Sequence, residues 1–149
     1  MITNTTTRNP NNLLDGLTPT FTGWNTDPGT NADLVDELTD TLTTSGVQTN
    51  ATTSTIIYDL GSSKRIIGWL FRGVVVTATT FYLNISDDNV TYYSIANYTT
   101  TTTERQIVGI GKGRYIQARF SSAAAGNTIA NLKIRAYRLW IKKDININI

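Results

Sequence analysis

The chain has 149 residues, with 13 Lys and Arg against 11 Asp and Glu, and it contains neither cysteine nor histidine. It therefore lacks disulfides, thiolate and imidazole metal ligands, cysteine nucleophiles and the usual general base, which excludes most hydrolases and metalloenzymes. We predict a non-enzymatic protein, and the length fits one domain.

Residues 1–30 are predicted to form an N-terminal arm and loop segment, because the first dozen residues are polar and rich in Thr and Asn. They contain no apolar stretch typical of a secretory signal peptide. No apolar run elsewhere approaches the roughly 18 residues of a membrane helix, so we expect no membrane insertion. Phe21 and Trp24 are the aromatic residues of this segment, and we place both in loops.

Helical periodicity is confined to residues 31–42. Leu34, Leu38 and Leu42 recur there at intervals of four, and Asn31 is suited to cap the N-terminus. The Asp and Thr residues inside the segment disfavour a helix. We therefore expect at most one short helix, near residues 31–42.

From residue 54 onward the pattern is that of β-strands. Ser54–Leu60 is predicted as a strand that ends in a turn at Gly61-Ser62-Ser63, with Lys64 and Arg65 solvating its exit. Arg65–Arg72 is mostly apolar, which predicts one strand buried on both faces.

A hairpin is predicted next. Asp87-Asp88-Asn89 separates Phe81–Ser86 from Thr91–Asn97, and Asp and Asn tolerate the left-handed backbone of tight turns. The following glycines at 109, 111 and 113 are assigned to a turn-rich link, because no helix follows as a phosphate-binding loop would require.

The last strands complete an all-β pattern. In Tyr115–Ser121 the residues Ile116, Ala118 and Phe120 share one face, and Ile129–Ile141 is a long final strand. Strands at spacings near ten residues with turn signals between them predict a jelly-roll β-sandwich.

Four segments, in order, resemble the discoidin, or coagulation-factor 5/8 type C, domain. They are YDLGSSKRIIGWLF (58–71), FYLNISDDNVTYYSI (81–95), GRYIQARF (113–120) and IRAYRLWI (134–141). The resemblance implies a galactose-binding-like jelly roll over residues 31–141, a fold that includes many carbohydrate-binding modules. Residues 142–149 are left as a C-terminal strand-like tail.

The resemblance also implies candidate site residues. Asp36 and Thr41 match a segment that often helps hold a structural calcium, whose preferred ligands are oxygens. Because the family binds ligands in loops at one end of the sandwich, the candidate ligand-binding residues for a glycan or surface are Phe21, Trp24, Arg72 and Tyr98. Calcium is the only cofactor that the resemblance implies.

The C-terminal tail alternates Ile145, Ile147 and Ile149 with asparagines, a strand pattern suited to pairing with a neighbouring subunit. We therefore expect homo-oligomer contacts through these isoleucines.

Two functions from different classes fit these features. The first is a virion structural or adhesion protein, as in the capsid decoration, head fibre or tail component of a phage, with other virion proteins as partners. The alternative is a carbohydrate-binding module or lectin that binds cell-surface glycans and is located outside the cell or at its surface. Residues 51–149 carry twelve basic against five acidic side chains, but no nucleic-acid-binding motif is present, so a nucleic-acid partner is not expected.

Overall fold

The computed structural model describes residues 12–25, 47–48, 52–75, 79–100, 105–107, 110–122, 125 and 128–137. These residues form nine strands: β1 (Thr20–Thr22), β2 (Val47–Gln48), β3 (Thr53–Ile66), β4 (Gly68–Val75), β5 (Thr79–Ser86), β6 (Tyr93–Thr100), β7 (Arg105–Ile107), β8 (Gly111–Ser122) and β9 (Thr128–Tyr137). One sheet has the order β1-β3-β8-β5-β6 and the other the order β2-β9-β4-β7, and all pairs are antiparallel.

Strand β8 lies at the centre of the five-stranded sheet, between β3 and β5. The predicted alternation is confirmed there, since Ile116, Ala118 and Phe120 are all buried. Each is paired with a buried residue on both neighbouring strands, as Ile116 is with Tyr58 and Ile85. Full burial of an aliphatic or aromatic side chain contributes about 1.5–3 kcal/mol, so this row makes a large contribution to the stability of the sandwich.

The predicted strand Arg65–Arg72 is wrong. Ile66 still belongs to β3 and pairs with Gly111 in the five-stranded sheet, whereas Gly68 begins β4 and pairs with Tyr137 in the other sheet. The chain therefore crosses between the sheets at Ile67. An apolar run has the same appearance in sequence whether it is one strand covered on both faces or two strand ends that meet at a corner.

The predicted turn at residues 61–63 is also different in the structure, because β3 continues through it. Pairing with β8 is interrupted between Asp59 and Lys64, so four residues of β3 stand opposite the single residue Arg114. This interruption is a long β-bulge, and we call residues 60–63 the β3 bulge. Gly61 within it has a φ of 75°.

Residues 12–25 are part of the sandwich, although the boundary of the folded region was expected at residue 31. Strand β1 pairs with β3, and Leu14 is fully buried. The Leu13 N–H donates to the Ala136 carbonyl at 2.7 Å, which connects this segment to β9 of the other sheet. The apolar Leu13 and Leu14 therefore cover one side of the core. The polar residues around them in the sequence do not predict this burial.

The all-β jelly-roll fold is thus confirmed. The residues that the structure describes contain no helix, and therefore no helix long and apolar enough to cross a membrane. The predicted helical segment 31–42 and the tail 142–149 lie outside the described residues.

Candidate functional site

Three segments meet at one end of the five-stranded sheet: the β3 bulge, the beginning of β8 and the loop from β5 to β6. The register shows this directly, because Tyr115 of β8 pairs with Asp59 on one side and with Ser86 on the other. Ile85, next to Ser86, pairs with Tyr93 at the beginning of β6. Side chains on these three segments are therefore neighbours.

The β5–β6 loop is held by its own polar side chains. The Ser86 Oγ accepts hydrogen bonds from the backbone N–H groups of Asp88 and Asn89 at 3.2 and 3.0 Å, and it donates to the Asp88 Oδ1 at 2.8 Å. That carboxylate oxygen also accepts from the N–H groups of Val90 and Thr91 at 2.9 and 2.8 Å. Such local bonds are the reason Ser and Asp favour turns.

The charge of Asp88 is stabilised by these bonds. The Thr91 and Val90 N–H groups, followed by the Ser86 hydroxyl, lower the pKa of its carboxyl to about 2. Asn89 adopts a φ of 60°, and the Tyr92 hydroxyl donates to its side-chain oxygen. The predicted hairpin is confirmed, and its loop presents a preformed conformation.

Arg114 connects this loop to the β3 bulge. Its guanidinium donates from Nε and Nη2 to the two carboxylate oxygens of Asp59, at 2.9 and 2.8 Å. Its backbone N–H donates to the Asp87 Oδ1 at 3.1 Å. The hydrogen bond from Arg114, with that from the Gly61 N–H, lowers the pKa of Asp59 to about 2. One residue of β8 thus links both flanking segments.

Gly111 and Gly113 lie inside β8, so their expected assignment to a turn-rich link is wrong. A Cβ at Gly111 would lie 2.7 Å from the Ile85 Cδ1, and one at Gly113 would lie 3.0 Å from the Ser86 backbone oxygen. The two glycines therefore allow β8 to approach the end of β5 closely. Lys112 between them is placed beside the β5–β6 loop.

A cleft of about 290 Å³ lies at this junction. It is lined by Ile85, Ser86, Asp87, Asp88, Thr91, Tyr93 and Lys112. The Tyr93 side chain is 66% exposed, an unusual position for a large aromatic residue. The cleft therefore combines an open aromatic ring with hydroxyl, carboxylate and ammonium groups, a combination that suits recognition of a polar ligand with an apolar face. In the part of the chain that the structure describes, no group of three or more Asp or Glu side chains could hold a metal ion.

The structure places the predicted ligand-binding residues elsewhere. Trp24 is 7% exposed and packs edge-on against Phe120, with ring centroids 5.4 Å apart. Its Nε1–H donates to the Thr55 carbonyl at 3.0 Å. This burial covers the indole, so Trp24 offers no open surface on which a ligand could stack.

Phe21 and Tyr98 are half-buried and pack against the hydrophobic core. Tyr98 lies against Phe81, toward the end of the sheet opposite the cleft. Arg72 belongs to β4 and pairs with Lys133 of β9. Phe21 and Tyr98 do not line the cleft.

The other predicted site residues, Asp36, Thr41, Ile145, Ile147 and Ile149, lie outside the described residues. The calcium site and the oligomer contact therefore stay predictions.

Sequence reasoning missed Tyr93 and Lys112. The available signal was the adjacent pair Tyr92-Tyr93 directly after a hairpin loop, together with a lysine between two glycines. Neither signal shows which tyrosine remains exposed, or that the lysine lies beside it.

No profile of a known protein family and no curated protein matches the chain. Several solved structures are similar to this chain. CpGH89CBM32-6 of Clostridium perfringens aligns with a TM-score of 0.66 and 17% identity, over 86% of this chain and 99% of that one. CpGH89CBM32-5 of the same organism, solved with GalNAc-β-1,3-galactose, aligns with a TM-score of 0.62 and 15% identity over 85% and 99% of the two chains.

Chitosan-binding module 1 of a chitosanase/glucanase from Paenibacillus sp. IK-5 aligns with a TM-score of 0.65 and 13% identity, over 85% of this chain and 98% of that one. At these identities the likeness is one of fold. It confirms the galactose-binding-like jelly roll expected from the discoidin resemblance.

Proposed function

We propose that this domain is a non-catalytic carbohydrate-binding module. The observation that carries the proposal is the cleft at the end of the five-stranded sheet, in which the exposed ring of Tyr93 stands beside Thr91, Asp87 and Lys112. The fold adds support, because the similar solved domains include one in complex with a disaccharide and one named for binding chitosan.

The chemistry of the cleft suits a sugar. One face of a pyranose ring is apolar and stacks on an aromatic side chain, while its hydroxyls need donors and acceptors around the rim. Tyr93 offers the stacking surface, and the Thr91 hydroxyl and Lys112 ammonium offer hydrogen bonds. Because Ser86 and Asp88 hold the β5–β6 loop in place, little ordering entropy is lost when a ligand binds.

This proposal gives priority to the alternative function rather than to the virion protein. Two of the features that favour the virion hypothesis, the polar residues at the start of the chain and the Ile145, Ile147 and Ile149 pattern, lie outside the described residues. A module that binds cell-surface or environmental glycans acts outside the cell, and this is the location we propose.

Isothermal titration of the whole chain against oligosaccharides selected on a glycan array tests the proposal. We expect Tyr93→Ala to lose at least about tenfold in affinity, the equivalent of about 1.4 kcal/mol, without a change in Tm. Val90→Ser is the matched control, because Val90 belongs to the same loop and is 82% exposed but does not line the cleft. No binding across the array, or equal affinity of Tyr93→Ala and the parent, would contradict the proposal.

A further inference from the structure

The cleft carries more negative than positive charge. Its lining contains the carboxylates of Asp87 and Asp88 against the ammonium of Lys112. The protein as a whole has a net charge of +2, and residues 51–149 contain only five acidic side chains against twelve basic ones. Two of those five acids lie in the cleft, so the charge of the cleft is opposite in sign to that of the surrounding chain.

No basic side chain neutralises either carboxylate. Within the described part of the chain, no salt bridge connects a Lys or Arg to Asp87 or Asp88. The guanidinium of Arg114 is bound to Asp59 instead, and only the backbone N–H of Arg114 reaches Asp87. An anionic cleft without an internal counter-ion is complementary to a cationic ligand.

Each carboxylate keeps one oxygen open to a ligand. Three donors of the β5–β6 loop occupy the Oδ1 of Asp88, and the Arg114 N–H occupies the Oδ1 of Asp87. The Oδ2 atoms of both residues accept no hydrogen bond from the residues that the structure describes, and both side chains are exposed. Because the bonds to Oδ1 already hold the two side chains, the Oδ2 atoms are preorganised acceptors for an ammonium group.

The ring of Tyr93 favours the same kind of ligand. It is 66% exposed and lies in the same lining as the two carboxylates. The face of an aromatic ring attracts a cation and also stacks on the apolar face of a sugar. A neutral sugar offers the carboxylates only hydroxyl donors, whereas a sugar with an ammonium adds the attraction between opposite charges.

We propose that the cleft selects an amino sugar with a free ammonium group, which stacks on Tyr93 and places its ammonium at Asp87 and Asp88. This inference rests on the proposed function and specifies the class of sugar. Lys112 donates to a sugar hydroxyl in this arrangement, and its charge limits the strength of the preference. A lysine-rich peptide would also present ammonium groups, but it would leave the Lys112 ammonium and the Thr91 hydroxyl without acceptors or donors to bind.

The test compares each amino sugar with the neutral sugar that carries a hydroxyl in place of the amine. The β-1,4-linked glucosamine trimer is titrated into the whole chain next to cellotriose, and galactosamine next to galactose, at about pH 6 and at about 0.05 M and about 0.5 M NaCl. We expect one of the amino sugars to bind at least about tenfold more tightly than its neutral counterpart at low salt, and this preference to shrink at high salt.

Two substitutions with opposite expected effects assign the preference to the cleft. Asp87→Asn should lose most of it, and its Tm should stay that of the parent because the amide oxygen still accepts from the Arg114 N–H. Lys112→Gln removes the competing cation and should increase the preference at least about twofold. Lys64→Gln is the matched control, because it removes the same charge from an exposed residue that does not line the cleft, and the preference should stay unchanged.

The outcomes separate this inference from the proposed function. Equal binding of amino sugars and neutral sugars, or a preference that survives in Asp87→Asn and does not rise in Lys112→Gln, overturns the amino-sugar inference and leaves glycan binding intact. Absence of binding to every glycan overturns both. A trilysine peptide that binds more tightly than the glucosamine trimer, and loses affinity in Asp87→Asn, overturns the inference in favour of a basic peptide.

Discussion

Arg114 and Asp59 form a two-point contact across 55 residues of sequence, with hydrogen bonds of 2.9 and 2.8 Å between guanidinium and carboxylate. Both side chains are more than two-fifths exposed, so solvent screens their attraction. The contact acts mainly through geometry. It fixes the residue of β8 that faces the β3 bulge, and the backbone of that residue in turn holds Asp87 of the β5–β6 loop.

This contact predicts a component of acid sensitivity. The pKa of Asp59 is about 2 in the folded chain, below the value near 3.9 of an unfolded chain. Its carboxylate therefore stabilises the fold above about pH 4, and this contribution is lost as the pH falls toward 2. Thermal melts between about pH 5 and about pH 2 should show a steeper fall in Tm for the parent than for Asp59→Asn. Parallel curves would show that the contact does not contribute.

The buried Tyr58 predicts that the fold loses stability at alkaline pH. Its ring is fully buried, and its hydroxyl has no hydrogen-bond partner among the described residues. Burial raises the pKa of this phenol well above its usual value, so stability is retained below about pH 10 and falls as the pH rises further.

Tyr58→Phe removes that buried polar group without leaving a partner unsatisfied. We expect urea unfolding at neutral pH to show unchanged stability or a gain of up to about 1 kcal/mol. The variant should also keep its Tm to a higher pH than the parent. A loss of more than about 1 kcal/mol would reveal a partner for the hydroxyl.

Alanine substitutions at Gly23 and Gly61 distinguish the energetic cost of a left-handed backbone from the cost of a close contact between atoms. Both have a positive φ, 81° and 75°, but a Cβ at Gly23 would lie 2.6 Å from the Thr53 carbonyl oxygen, whereas one at Gly61 meets nothing within 4 Å. Gly61→Ala should therefore cost only the left-handed backbone penalty, about 1–2 kcal/mol. Gly23→Ala should cost a further ~1–3 kcal/mol, because backbone must move. Equal losses in denaturant melts would contradict the close approach.

Substitution of Trp24 should lower the stability of the fold without lowering its affinity for a glycan. Trp24→Phe removes the hydrogen bond to the Thr55 carbonyl and should cost about 1–3 kcal/mol in urea unfolding. Glycan affinity should be unchanged at temperatures where the variant is folded. A fall in affinity without a fall in stability would return Trp24 to the binding site.

Local sequence patterns were sufficient to predict the structure of a segment where a single physical rule determines that structure. The alternation of Ile116, Ala118 and Phe120 follows from strand geometry. The hairpin follows from Asp88, whose carboxylate accepts from the backbone N–H groups of Val90 and Thr91, and from Asn89, which adopts a positive φ. The predicted segments lie in the observed strands, although β6 begins at Tyr93 rather than at Thr91 and β8 already begins at Gly111.

The positions of the other residues depend on the register between strands that are distant in the sequence. Trp24 is a core residue because β1 pairs with β3 and brings it against Phe120, which no local pattern reveals. The cleft depends on the pairs Ile85–Tyr93 and Ser86–Tyr115, each formed between different strands. Such pairs are specified by the assembled sheet rather than by the residues on either side of them in the chain.

The β3 bulge has a practical consequence. Its residues are not matched one to one with β8, and Ser62 and Ser63 are exposed beside a glycine with open space around it. Extra residues between these serines would enlarge the bulge while leaving the pairs at Asp59 and Lys64 in place. A tag or fluorophore could therefore be grafted there without disturbing the pairing of β3 with β8.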